Sequence, residues 1–196
     1  MRNKKTANMV TFAMLLAIEV VLAFTPLGFL RIGFLSITML HIPVIICAMY
    51  LGPKYGAAMG FVMGFCSFYN ATFQPSPTSF CFTPFYSIAG ISGNFYSLLI
   101  AFIPRIALGY FSGLVYQKLK GKKLAPALSG ITGALVNTVG VLGGIWIFFK
   151  EPYEQVLGEA IITLFMTTIW INSIAEIIVA IIAATALHQA IKHQHK

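Results

Sequence analysis

FYSLLIAFIPRIALGYFSGLVYQ, residues 95–117, is the stretch whose reading decides this fold. It is apolar almost throughout and carries a single charge, Arg105, directly after Pro104. A helix of about 20 mostly apolar residues crosses the hydrocarbon of a bilayer. A charge inside such a helix is expensive, and its presence marks a candidate functional group. With the helix starting outside near residue 95, Arg105 lies about 15 Å down, close to mid-membrane. Pro104 removes a backbone donor just before it. Such a break is tolerated where a neighbour or a cavity satisfies the freed carbonyl.

Outward from this stretch, five more qualify as spans, giving about 7–25, 38–52, 54–72, 95–117, 124–149 and 157–189. The second is short and contains Pro43. The composition is 58% hydrophobic and 9% charged, which excludes an ordinary soluble domain. The first stretch lacks a clear small-residue cleavage site before Arg31, so it reads as a retained helix. The expectation is an all-α integral membrane protein, one domain over 1–196. It is a compact six-transmembrane-helix bundle whose outer loops cap a ligand pocket.

A net charge of +8 in a soluble protein suggests nucleic acid, but its distribution here gives orientation instead. With six spans, Arg2, Lys4, Lys5, Lys54, Lys118, Lys120, Lys122, Lys123, Lys192 and Lys196 all fall on one side. Arg31 and Lys150 fall on the other, with Glu151, Glu154 and marginally Glu159. Basic loops stay cytoplasmic, which places both termini inside. An odd number of spans would destroy this asymmetry. The basic inner connection YQKLKGKKLAP favours the anionic cytoplasmic leaflet, and no nucleic-acid partner is expected.

Enzyme motifs are missing. There are no aspartates, no P-loop, no HExxH and no GxSxG. Cys47, Cys66 and Cys81 have neither metal spacing nor a paired framework. The chain therefore reads as a non-enzyme with no cofactor and no metal.

Residues 25–37, TPLGFLRIGFLSI, read as an irregular amphipathic loop. The longer connection at 70–94, NATFQPSPTSFCFTPFYSIAGISGN, is rich in proline, hydroxyls and aromatics. Loops this long in a compact bundle are usually functional or disordered, and Phe73, Phe80, Phe82, Phe85 and Tyr86 argue against disorder. Either they form a lid over an outward-facing pocket, or they anchor the loop at the membrane interface. Gly56, Gly60 and Gly64, Gly109 with Gly113, and Gly140 with Gly144 form ridges that let helices pack closely.

Polar groups on three helices converge in depth: Arg105, Glu19 and Asn137. Arg105 either pairs with Glu19 to hold the bundle, or receives an anionic ligand, as a guanidinium suits. Asn137 orients ligand hydroxyls or amides, or bridges helices. Asn172 is ambiguous, and Glu176 lies nearer the cytoplasmic end. His41 reads more as a helix-end hydrogen bonder than as a ligand-binding group. Trp146 and Tyr153 fit an aromatic belt and could also stack on a ligand. The candidate binding set is Arg105, Asn137, Tyr86, Asn94, Trp146 and Asn172. Ala13 and Ala17, four residues apart, form a flat strip that another helix can approach.

Residues 35–65, LSITMLHIPVIICAMYLGPKYGAAMGFVMGF, resemble the substrate-binding S-components of energy-coupling factor (ECF) vitamin transporters. FIPRIALGYFSGLVYQKLK, residues 102–120, is similar to that family's helix-four pattern, and Ala13-x-x-x-Ala17 to its helix-one docking motif. The resemblance implies six helices, cytoplasmic termini, a bacterial cell-membrane location and a vitamin site near the outer face. It also implies partners: a transmembrane coupling subunit and two cytoplasmic ATP-binding subunits. The loop after helix three and helix four itself look most like the pantothenate-specific members. Folate, pyridoxine or riboflavin remain alternative ligands. A stand-alone secondary permease using Glu19 and Arg105, or a membrane scaffold, are the readings outside the family; no inverted repeat is visible to support the first.

Overall fold

A computed structural model of the protein describes residues 4–26, 28–32, 35–158, 178, 181 and 182. The chain begins with helix α1 (Lys4–Ala23) and a hairpin of strands β1 (Phe29–Ile32) and β2 (Leu35–Thr38). Helices α2 (His41–Leu51) and α3 (Pro53–Phe73) follow. A connection then carries a 3-10 turn, Ser79–Cys81, and a small hairpin of β3 (Ser87–Ile88) and β4 (Ile91–Ser92). Helices α4 (Phe95–Lys118) and α5 (Ala125–Leu157) complete the described architecture. Among the described residues α1, α4 and α5 are long and apolar enough to cross a membrane. Most of the sixth apolar stretch, with Glu159, Asn172 and Glu176, lies outside the described residues, as do His188, His193 and His195.

The second expected span is short and largely buried. At eleven residues α2 is about 16 Å long, well short of a bilayer's hydrocarbon. Its Pro43, Val44, Ile45, Cys47, Ala48 and Met49 are all buried. Helices α1, α3, α4 and α5 all pack against it. Gly52 turns the chain into α3 with φ 102°, a left-handed value that glycine adopts freely, and Pro53 opens the new helix.

Residues 25–37, expected to be irregular, contain most of a β-hairpin. Phe29 pairs with Thr38, Arg31 with Ser36 and Ile32 with Leu35. Paired strands satisfy their backbone groups, which an irregular loop at a membrane surface cannot do as completely. The link between stretches five and six is also helical, since α5 continues to Leu157. It bends at Phe149 (φ −134°, ψ 21°), three residues before Pro152, whose ring disfavours an unbroken helix.

The glycine ridges do what their spacing predicts. A Cβ on Gly60 would fall on the Arg105 carbonyl and Ile106 Cα, and one on Gly64 would come within 2.8 Å of the Ala101 carbonyl. Gly56 and Gly109 meet backbone to backbone. These pairs run in opposite directions along the chain, so α3 and α4 are antiparallel. On α5, a Cβ on Gly140 would meet Pro104 Cβ at 2.9 Å, and one on Gly144 would meet Ile100 Cγ1 at 2.8 Å.

Gly60→Ala should lower stability by about 1–3 kcal/mol, because backbone rather than a movable side chain obstructs the new methyl. Gly143, with nothing among the described residues near its Cβ position, should accept alanine with no loss. Thermal unfolding of both variants in detergent checks the pair, and equal melting temperatures would contradict the packing.

Candidate functional site

Pro104 and Arg105 sit where α3 and α5 both press against α4. Proline has no N–H, so the Ile100 carbonyl four residues earlier lacks its usual helical donor. Arg105 supplies one, with Nη1 donating to Ile100 O. The side chain thus runs back toward the start of α4 and the connection above it. There its Cζ lies 5.1 Å from the centroid of the Phe82 ring, a cation–π contact. Arg105 is 7% exposed, so the charge is held inside the protein.

Two more buried polar side chains lie on the helices that pack around α4. Gly133 faces Ile45 of α2, while Gly140 and Gly144 face α4. Asn137 lies one turn from Gly133 and one from Gly140, so it shares that inward stripe. It is buried, and its Oδ1 accepts no hydrogen bond from the described residues. His41, 1% exposed, lies one turn outward from Ile45 on α2. Arg105, Asn137 and His41 therefore come from three helices at neighbouring levels of one packed region.

The alternative pairing of Arg105 with Glu19 does not occur. Glu19 is fully buried on α1, but neither carboxylate oxygen has a hydrogen-bonding partner among the described residues.

Above this region the 74–94 connection is a packed cap. Phe80 and Cys81 are fully buried with Ile100 of α4 and Ile145, Phe149 and Tyr153 of α5. The Phe80 and Phe149 rings meet edge to face, 5.8 Å apart. Polar ties fasten the cap to the helix ends. Thr72 and Thr83 hydroxyls are 2.8 Å apart, and Ser97 Oγ donates to Phe80 O at 2.7 Å. The lid and the interface readings divide the aromatics between them. Phe80 is core, Phe82 and Tyr86 pack partly buried against it, and Phe73 and Phe85 are exposed.

The expected binding residues separate in the structure. Arg105 and Asn137 are both buried, on facing helices about one turn apart in level, and Tyr86 packs against the cap. Asn94 is exposed and serves as the N-cap of α4, where its Oδ1 accepts from Tyr96 N–H at 2.9 Å. Ser97 Oγ in turn accepts from Asn94 N–H at 3.0 Å, which completes a capping box. Trp146 is 53% exposed and points away from the buried cluster, as an aromatic-belt residue does. Asn172 lies outside the described residues. Ala13 and Ala17 are both exposed, flanked by exposed Met9, Val10, Met14, Ile18 and Val21. His41 and Phe82 were missing from the candidate set. The signal for His41 was its one-turn spacing from Ile45, but only the packing of α2 against α5 gives that spacing meaning.

A buried guanidinium, amide and imidazole lie beneath an aromatic cap, among helices of membrane length. The chain belongs to the ECF transporter, substrate-specific component family, whose sequence pattern matches residues 7–188. It is 36% identical over 198 residues to the pantothenic acid transporter PanT of Lactococcus lactis subsp. cremoris, covering 97% of this chain and 96% of that one. It is 28% identical over 202 residues to the pantothenate transporter PanT of Leuconostoc mesenteroides subsp. mesenteroides, covering 95% and 93%. The protein is a multi-pass component of a bacterial cell membrane.

Burial raises the pKa of the Cys81 thiol in the cap, which suppresses its reactive thiolate. Cys81 should therefore resist a maleimide in the folded protein and react after denaturation, as followed by mass spectrometry. Rapid labelling of native Cys81 would mean that the cap is not packed.

Proposed function

We propose that this chain is the pantothenate-capturing subunit of an ECF-type importer, and not an enzyme. It forms a single six-helix domain over 1–196, with both termini in the cytoplasm. The vitamin enters from outside, and the loaded subunit reorients with a transmembrane coupling subunit driven by two cytoplasmic ATP-binding subunits. Support for the family role comes from the match over most of the chain, and support for the vitamin from the names of its relatives.

The observation that carries the binding reading is the buried Arg105 guanidinium, turned toward the cap with no Glu19 partner. Pantothenate ends in a carboxylate, which a guanidinium binds through parallel charge-assisted bonds. Its hydroxyl and amide N–H groups are donors that suit the open Oδ1 of Asn137. Tyr86 and Phe82 line the approach from the cap. Asn94 is left to cap α4, and Trp146 to the membrane interface. Asn172 remains part of the proposed set on its sequence position alone.

Titration calorimetry of the detergent-purified protein should show saturable pantothenate binding, with folate, riboflavin and pyridoxine failing to compete. Arg105→Ala should weaken it about ten- to a hundredfold, since a buried charge-assisted contact contributes about 1.5–3 kcal/mol and each 1.4 kcal/mol is tenfold. Tight binding of another vitamin would keep the family and replace the ligand.

Ala13 and Ala17 are proposed as the face on which the coupling subunit docks. Ala13→Trp or Ala17→Trp should abolish co-purification with that subunit and leave pantothenate affinity unchanged. Loss of ligand binding in these variants would show that the strip is not a pure docking surface.

A further inference from the structure

We propose that Pro104 is a positioning residue for anion recognition. By withholding an N–H, it leaves the Ile100 carbonyl to hold the Arg105 guanidinium toward Phe82. The inference rests on the reading of Arg105 as the carboxylate receiver.

Three observations carry it. The carbonyl that accepts from Arg105 Nη1 belongs to Ile100, the residue whose helical donor a proline at 104 removes. The same guanidinium then meets the Phe82 ring, so it is fixed from the helix below and from the cap above. A guanidinium has five N–H donors in a rigid fork, more than the Ile100 bond uses. One anchored corner therefore sets the plane in which the fork faces an anion. An arginine held in place before binding loses less side-chain freedom when the ligand arrives.

The proline's Cβ and Cγ both face Gly140; alanine would keep the first and lose the second, while valine would keep γ carbons beside the Cβ. Alanine would also return an N–H to the Ile100 carbonyl. A local helical bond would displace the arginine, and the freed side chain would no longer be aimed. The substitution should thus strengthen the helix while weakening recognition of a carboxylate.

The test uses the purified full chain and two probes: pantothenate, and its alcohol analogue in which CH2OH replaces the carboxylate. The readout is the ratio of their dissociation constants, together with the melting temperature. In Pro104→Ala that ratio should shrink about tenfold, the share of one charge-assisted hydrogen bond, with an unchanged or higher melting temperature. Pro104→Val returns the same N–H with more of the ring's volume, is measured beside it, and decides the matter if the alanine variant does not fold. Equal weakening of both probes, or no weakening of either, would overturn the positioning role. Failure of the underlying reading looks different: the wild type would not discriminate between the probes, or Arg105→Ala would discriminate as well as the wild type.

Discussion

Backbone-to-backbone contact between α3 and α4 is the constraint from which the rest of this structure follows. Gly56 meets Gly109 directly, and Gly60 lies against the carbonyl of Arg105. With no side chains between them, the two helices cannot be separated by a layer of leucines, as soluble helices commonly are. The volume saved there lets the short α2 sit within reach of four other helices, with most of its residues buried. It also fixes the height of the Pro104-Arg105 pair against the cap. A charge so deep needs specific neighbours, and the freed Ile100 carbonyl and the Phe82 ring provide them.

What could be read from the sequence was whatever depends on a residue's own chain neighbours. Gly60, Gly109 and Gly140 announced close approach through spacing alone, and the packing bears this out. Pro104 and Arg105 were conspicuous because few other residues in an apolar helix carry a charge or lack a donor. The hairpin at Phe29–Thr38 went unread although its signal was present. Two residues separate Ile32 from its partner Leu35, but the runs are only four residues long and only the second, LSIT, alternates. The apolar stretch read from about 38 begins as helix only at His41, since Thr38 still belongs to the hairpin. His41 and Phe82 could not be found this way. Phe82 gains its place from Arg105, more than twenty residues distant, and His41 from the packing of α2 among other helices; no local pattern encodes either.

Helix α1 shows how one element can serve two environments. Its inward side presents Phe12, Leu15, Leu16 and Leu22 to the core, and Glu19 is buried there. Asn70 of α3 donates to the Ala23 carbonyl at 2.8 Å and secures the outer end of the helix. The outward side, from Met9 to Val21, offers apolar side chains around two alanines. A helix held along one face in this way can present the other without losing its position in the bundle.

The cap introduces a matter of timing. It is part of the core, with Phe80 wedged against Phe149 and the Ser97 hydroxyl bonded to the Phe80 carbonyl. Segments packed to this degree open rarely compared with free loops, because opening exposes the buried rings and breaks the ties together. A solute beneath Phe82 would then escape only as often as the cap unlatches, however weak its own contacts. Residence time and affinity would be separable for such a solute: the first set by the cap, the second by the polar groups below it.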